Sequence, residues 1–138
     1  MIAVVDTSIL LRKLFGEKGA FAGWNQLDEA FVSRLVEVEI GRVIDRARLG
    51  GSIDDEQVEH LHREARAVLA AMHVVSLSDA ILLRAAGPMP TTLGTLDAIH
   101  LATALEVSAA RGPSVVLLTH DAQLARAGTA SGLDVLGM

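Results

Sequence analysis

The chain has 138 residues, a formal net charge of −5 and no cysteine, so it has the size of one domain and lacks the thiols of zinc fingers, disulfide scaffolds and cysteine catalysis. Its composition, 51% hydrophobic and 21% charged with three prolines, excludes a disordered chain. An aromatic content of 3% makes the core aliphatic and argues against a platform that stacks bases. Residues 1–69 hold nine basic and twelve acidic groups, and residues 70–138 hold three and five. Neither half carries the basic footprint of a duplex-DNA binder. An acidic chain can still act on nucleic acid where metal ions neutralise its carboxylates. The apolar run Ile2–Val5 before Asp6 is too short for a signal peptide, and no stretch reaches the about 18 apolar residues of a membrane helix. The expectation is a soluble, cytoplasmic protein in a reducing compartment, with residues 1–138 forming a single domain.

In chain order, Ile2-Ala3-Val4-Val5 reads as a strand buried on both faces. A helix follows over 7–15, then a glycine-bounded break from Gly16 to Gly23, and helical patterns over 24–31 and 33–49. Gly50-Gly51 interrupts. Ser52, three residues before Asp55, has the spacing of a capping box for a helix over 54–71. A weaker strand over 73–77 and a helix over 78–86 lead to the break from Gly87 to Gly94. Thr95 is the expected N-cap of a helix over 95–111, which Gly112-Pro113 stops. Val115-Val116-Leu117-Leu118 is a second fully buried strand, followed by a helix over 121–130 and a weak strand over 133–136. Alternating strands and helices predict an α/β layer fold with a parallel sheet.

Four acids stand out. Asp6 follows the first strand, and Asp121 comes three residues after the end of the strongest one. Open parallel sheets gather functional groups outside the carboxyl ends of their strands, although loops after strands are rich in Asp in any case. Asp97 lies in the first turn of an otherwise apolar helix. There it is either a helix-dipole acid worth about 0.3–1 kcal/mol or a buried carboxylate in need of a cation. His100, one turn on, reads as a packed histidine oriented by hydrogen bonds rather than as a metal ligand. The fourth acid is Glu37 or Glu39. Both flank the buried stripe Val36, Ile40, Val43, Ile44 and Ala47, on opposite sides at about 100° per residue, and periodicity does not choose between them. Arg42 and Arg46 lie on the Glu39 side, either as a solvated ion-pair row or as phosphate-facing cations beside an acid.

These residues resemble a family. Asp6-Thr7-Ser8 after an apolar strand looks like the opening of a PIN domain. Val36 to Arg42, centred on Glu39, resembles that family's helical glutamate motif. Leu96-Asp97-Ala98-Ile99-His100-Leu101-Ala102-Thr103-Ala104 is similar to its third and most diagnostic motif, and Thr119-His120-Asp121, with Leu124 and Gly132 beyond, to its last. Each motif alone is weak, but the ordered four span nearly the whole chain. Short chains of this kind are most similar to VapC-type toxins of type II (VapBC) toxin–antitoxin pairs.

The resemblance implies a three-layer sandwich whose central, mostly parallel sheet has about four to five strands, and an endoribonuclease dependent on Mg²⁺ or Mn²⁺. It implies Asp6, Glu39, Asp97 and Asp121 as the acidic metal site, and it selects Glu39 over Glu37. Asp97 and Asp6 would be direct ligands, with Asp121 and Glu39 completing a second site or orienting the attacking water. Thr7, Ser8 and Thr119 match hydroxyl positions that hold water or phosphate. Implied partners are an RNA substrate, a second copy in a homodimer, and a small antitoxin whose C-terminal segment wraps the toxin and brings a basic side chain toward Asp6 and Asp97. One departure is Gly94, where many relatives carry a basic residue.

Other chemistries fit less well. A phosphoaspartyl hydrolase of the dehalogenase type would place a second Asp where Ser8 stands. Gly16-Glu17-Lys18-Gly19 lacks the spacing and the Lys-Ser/Thr pair of a P-loop. His60 and His62, two residues apart, do not share a helix face as zinc ligands would, and both read as exposed. Trp24 reads as a partly buried anchor between helices. The non-enzymatic alternative is a catalytically silent PIN-like scaffold that binds RNA or protein, against which all four acids count. Substrate specificity is expected in loops 16–24 and 87–94.

Overall fold

Apolar runs too short to bury themselves as helices form a parallel sheet in the computed structural model, which describes residues 1–138. Its strands are β1 (Ile2–Val5), β2 (Glu29–Ser33), β3 (His73–Val75), β4 (Val116–Leu118) and β5 (Asp134–Leu136), in the order β3-β2-β1-β4-β5. All four pairings are parallel. In the central register Ala3 lies opposite both Ala30 and Val116, and Val5 opposite Leu118. Side chains alternate across the pleat. Ala3, Val5, Val116 and Leu118 therefore face one core, and Val4, Val115 and Leu117 face the other.

Helices cover both faces. α1 (Thr7–Leu14), α2 (Leu35–Leu49) and α3 (Asp55–Ala70) close the first core through Ile9, Leu10, Val36, Ile40, Ile44, Leu61 and Ala65. α5 (Thr95–Arg111) and α6 (Ala122–Ala130) close the second through Leu101, Ala104, Val107, Leu124 and Ala127. α4 (Asp79–Ala86) packs along α5. Full burial of each such Val, Leu or Ile side chain contributes about 1.5–3 kcal/mol. The result is a three-layer α/β sandwich with a five-stranded, wholly parallel sheet. No helix is long and apolar enough to cross a membrane.

Several local expectations are corrected. The segment 24–31 is not a helix: a 3-10 turn over Gly23–Gln26 precedes β2. Trp24, Leu27 and Phe31 imitate a helical period, but Ala30 and Val32 pack on one core while Phe31 packs on the other, the two-residue period of a strand held between β1 and β3. Trp24 packs edge-on against Phe21, with ring centroids 5.6 Å apart, and rests partly buried against the first core. The cap of α3 is Asp54 rather than Ser52. Its side chain accepts from the Gln57 amide at 2.8 Å while the Gln57 side chain accepts from the Asp54 amide at 2.9 Å. Gly94, not Thr95, caps α5, and it does so without a side-chain bond. Gly112 ends α5 with φ +106°, as a glycine stop should.

The chain winds outward from β1 through β2 to β3, then crosses to the opposite side of β1 for β4 and β5. The strand order therefore reverses between β1 and β4, and the crevice beyond their carboxyl ends is the topological switch point. Asp6 and Thr119 stand there, and the Asp6 amide donates to the Leu118 carbonyl at 2.9 Å.

Candidate functional site

Three helix N-termini open at this crevice, each with an acid on it. Asp6 is the N-cap of α1, Asp121 is the N-cap of α6, and Asp97 lies in the first turn of α5. The partial positive charge of each terminus favours a carboxylate there. Asp6 is 4% exposed, and its Oδ2 accepts from the Ser8 hydroxyl at 2.5 Å, the Thr119 hydroxyl at 2.9 Å and the Ser8 amide at 3.3 Å. Asp121 Oδ1 accepts from the Leu124 amide at 2.8 Å. Thr119 Oγ1 in turn accepts from the Asp121 amide at 2.9 Å, and Ser8 Oγ from the His120 amide at 2.9 Å. These small hydroxyls tie the end of β4 to the start of α1.

Glu39 reaches the crevice from α2. Its Oε1 accepts from the Thr7 hydroxyl at 2.6 Å and meets His100 Nε2 at 2.5 Å. His100 is 2% exposed and lies 3.6 Å from Asp6 Oδ1, so one ring nitrogen links α5 to acids on both α1 and α2. Burial disfavours the imidazolium, but the hydrogen bond to Glu39 and the charges of Asp6, Glu39 and Asp97 outweigh it and raise the His100 pKa. Burial likewise works against ionised Glu39, yet the bonds from His100 and Thr7 hold its pKa below the usual range. The histidine is a packed, hydrogen-bonded one, as its apolar helix suggested.

Asp97 lacks such support. Burial first, and then the charges of Asp121 and Asp6, push its pKa up to about 6, with His100 opposing. The four acids, together with Thr7, Ser8, Leu11 and Val43, line one open cleft of about 210 Å³. No lysine or arginine lines it. Of the two candidate glutamates, Glu37 instead faces solvent and pairs with Arg34. Glu39 and Asp121 each hold one carboxylate oxygen in hydrogen bonds and leave the other without a protein donor, while Asp6 Oδ1 has only the longer approach of His100. No three His, Asp or Glu side chains draw close enough to make a ready-formed cation cage.

The remaining predicted positions are distributed as follows. Thr119 is fully buried beneath Asp6. Arg42 lies outside the cleft lining, and its guanidinium bonds Asp45 at 2.9 Å. His60 is exposed, whereas His62 is partly buried along a groove between α2 and α3. Sequence reasoning missed the link from His120 Nδ1 to the Gly137 carbonyl, which fastens the segment after β5 to the end of β4. Gly137 has φ +100°, and a Cβ there would lie 2.7 Å from the Thr119 carbonyl oxygen. An isolated glycine late in the chain gave the only signal of this close approach.

A parallel sheet whose switch point gathers acids from four helices defines an α/β protein with an acidic cleft at that point. The chain belongs to the PIN domain family, which it matches over residues 3–130. In fold it is similar to a VapBC2 structure from Rickettsia felis bound to a DNA fragment from their promoter, at TM-score 0.71 and 13% identity over 99% of this chain and 98% of that one. It is also similar to a toxin-antitoxin complex from Klebsiella pneumoniae, at TM-score 0.67 and 21% identity over 97% and 95% of the two chains. A third likeness is to VapBC-1 from nontypeable Haemophilus influenzae, at TM-score 0.62 and 21% identity over 99% and 97%. No curated protein matches the sequence.

Proposed function

We propose that the chain is the toxin of a toxin–antitoxin pair, a divalent-metal-dependent endoribonuclease that hydrolyses RNA phosphodiester bonds in the cytoplasm. The observation that carries this reading is the convergence of Asp6, Glu39, Asp97 and Asp121 on one cleft without a basic residue in its lining. PIN family membership and the toxin–antitoxin assemblies among the similar folds support it. The donor set is all oxygen, as hard Mg²⁺ or Mn²⁺ requires, and the raised pKa of Asp97 marks negative charge that a cation would relieve.

Asp97 and Asp6 would hold the metal, and Asp121 and Glu39 would complete a second site or orient the attacking water. A bound cation would lower the pKa of that water and offset charge building on the phosphate. The protein's own part is positional. Ser8 and Thr119 fix Asp6, and Thr7 with His100 fixes Glu39, so each acid keeps an oxygen aimed away from its anchor. Rigid anchoring of this kind is what converts a bound phosphodiester and a water into a near-attack pair.

The antitoxin is proposed to seat an amphipathic helix in the apolar groove between α2 and α3, about 460 Å³, floored by Ile40, Ala65, Leu69 and Val74. This groove lies on the Glu37 flank of α2, so its occupant must cross α2 to bring a basic side chain to Asp6 and Asp97. A homodimer is proposed through the exposed leucines Leu77, Leu82 and Leu83 at α4 and Leu96 at the start of α5; sedimentation at micromolar concentration reads it directly. The test of the activity is sequencing of RNA ends after brief expression of wild type and Asp97→Asn in parallel, with purified protein assayed in Mg²⁺, Mn²⁺ and EDTA. Defined new ends from wild type alone support the nuclease. Equal end patterns, with no metal-dependent cleavage, leave the silent scaffold.

A further inference from the structure

An acidic cleft repels the phosphates of the strand that enters it, and a polyanion held there needs a cation close to the acids but outside them. Seven of the ten arginines are paired with carboxylates, which leaves Arg46, Arg66 and Arg126. Arg66 lines the groove between α2 and α3. Arg126 stands on α6 beside the β5 edge. Arg46 is exposed on α2, the helix that contributes Glu39 and Val43 to the cleft.

Its place around that helix is the second observation. At about 100° and about 1.5 Å per residue, Arg46 stands about 20° around the α2 axis from Glu39 and about 10 Å farther along it, and about 60° and about 4.5 Å from Val43. Arg42 is rotated farther, about 60° from Glu39 and about 100° from Val43, and Asp45 holds it together with Arg48, at 2.9 and 2.8 Å. Val43, one turn before Arg46, also lines the cleft. Besides the acids its lining includes two apolar side chains, Leu11 on α1 and Val43 on α2, a surface suited to a base or ribose. Glu39, Val43 and the free guanidinium of Arg46 therefore follow one another down the same side of α2.

We infer that Arg46 is a phosphate-binding residue of the RNA path, gripping the backbone of a neighbouring nucleotide while the scissile phosphate lies at the acids. The inference rests on the endoribonuclease reading and extends it to a specific contact. A guanidinium binds a phosphate bidentately and keeps its charge at any working pH. The contact is sequence-independent: it sets where along the strand the acids act and contributes affinity, not base choice.

The experiment is equilibrium binding of a fluorescein-labelled single-stranded RNA to full-length Asp97→Asn protein in Mg²⁺, followed by anisotropy across a salt series. Adding Arg46→Ala to that protein is expected to weaken binding about three- to tenfold and to lower the slope of log K against log salt by about 0.7, the share of one phosphate contact on a single strand. Arg46→Lys should recover most of the slope, and Arg126→Ala should leave it unchanged. In the cleaving protein, Arg46→Ala should raise KM several-fold with kcat within about twofold. Binding by Asp97→Asn with an identical salt slope after Arg46→Ala overturns the phosphate contact alone. Failure of the wild-type protein to cleave RNA in Mg²⁺ or Mn²⁺, together with failure of wild type and Asp97→Asn alike to bind it, overturns the ribonuclease reading and this contact with it.

Discussion

Asp97 and Glu39 share one cleft yet titrate in opposite directions, because Glu39 has His100 and Thr7 as donors while Asp97 has burial and two neighbouring carboxylates. A carboxyl whose folded pKa rises from 3.8 to about 6 favours folding fully below its unfolded pKa, and that support is lost as pH climbs through the folded value. Metal-free Asp97→Asn should therefore be more stable than wild type near pH 7.5, by about 1 kcal/mol once solvent screening of this partly exposed group is allowed for. The gap should close below about pH 4. Urea denaturation in EDTA at both pH values measures it, and a variant less stable at the higher pH would contradict the assigned charge crowding. Glu39 carries the opposite sign: its contribution is present above its unfolded pKa and lost as pH falls through the depressed folded one. Glu39→Gln should cost cleavage tenfold or more, about 1.4 kcal/mol in the barrier, while Glu37→Gln stays within about twofold. Initial rates on one RNA rank the two. The helix period left this choice open, since both glutamates flank the buried stripe. What separates them in space is a histidine 61 residues farther along the chain, a contact that no local pattern encodes.

α6 holds Asp121 at its N-cap, and the placement of that cap depends on how closely the helix lies on the sheet. A Cβ at Gly128 would meet Leu117 Cδ2 at 2.7 Å and Val135 Cγ2 at 3.1 Å. Glycine inside a helix costs about 1 kcal/mol relative to alanine, so its use here reflects the close approach. Gly128→Val should destabilise the fold by about 1–3 kcal/mol through overpacking, read as a lower urea midpoint with an unchanged slope. A gain in stability would mean that helix propensity outweighs the contact. At this scale the sequence was legible wherever an element is buried on both faces: β1 and β4 are continuous apolar runs, and α5 is bounded by a glycine on each side. β2 escaped because Glu29 begins it and Trp24, Leu27 and Phe31 mimic a helical spacing, whereas its strand identity comes from pairing with β1 and β3. The cap of α3 moved from Ser52 to Asp54 because Gly51, at φ +76°, turns the chain before the helix begins.

Across the whole molecule the acids lie at the one place where the winding of the sheet reverses, so the fold itself sets the charge that the cleft must neutralise. Asp6, Glu39, Asp97 and Asp121 arrive from four different helices, and their convergence exists only in the folded chain. A cation that binds there binds the native state and not the unfolded one, so it stabilises by RT ln(1 + [L]/Kd), about 2.7 kcal/mol at a hundredfold excess over Kd. Adding Mg²⁺ or Mn²⁺ to metal-stripped protein should therefore raise Tm by several degrees. The proton competes for the same oxygens, and with Asp97 titrating at about 6 the shift should be largest near pH 7.5 and fade as pH drops below about 6. Asp97→Asn should abolish most of it at every pH. Glu37→Gln, which alters an exposed pair on the opposite flank of α2, should retain it in full. Differential scanning fluorimetry over a metal series at two pH values separates these outcomes: a shift of equal size in wild type and Asp97→Asn would place the cation elsewhere on the acidic surface, and a shift independent of pH would remove Asp97 from its ligands.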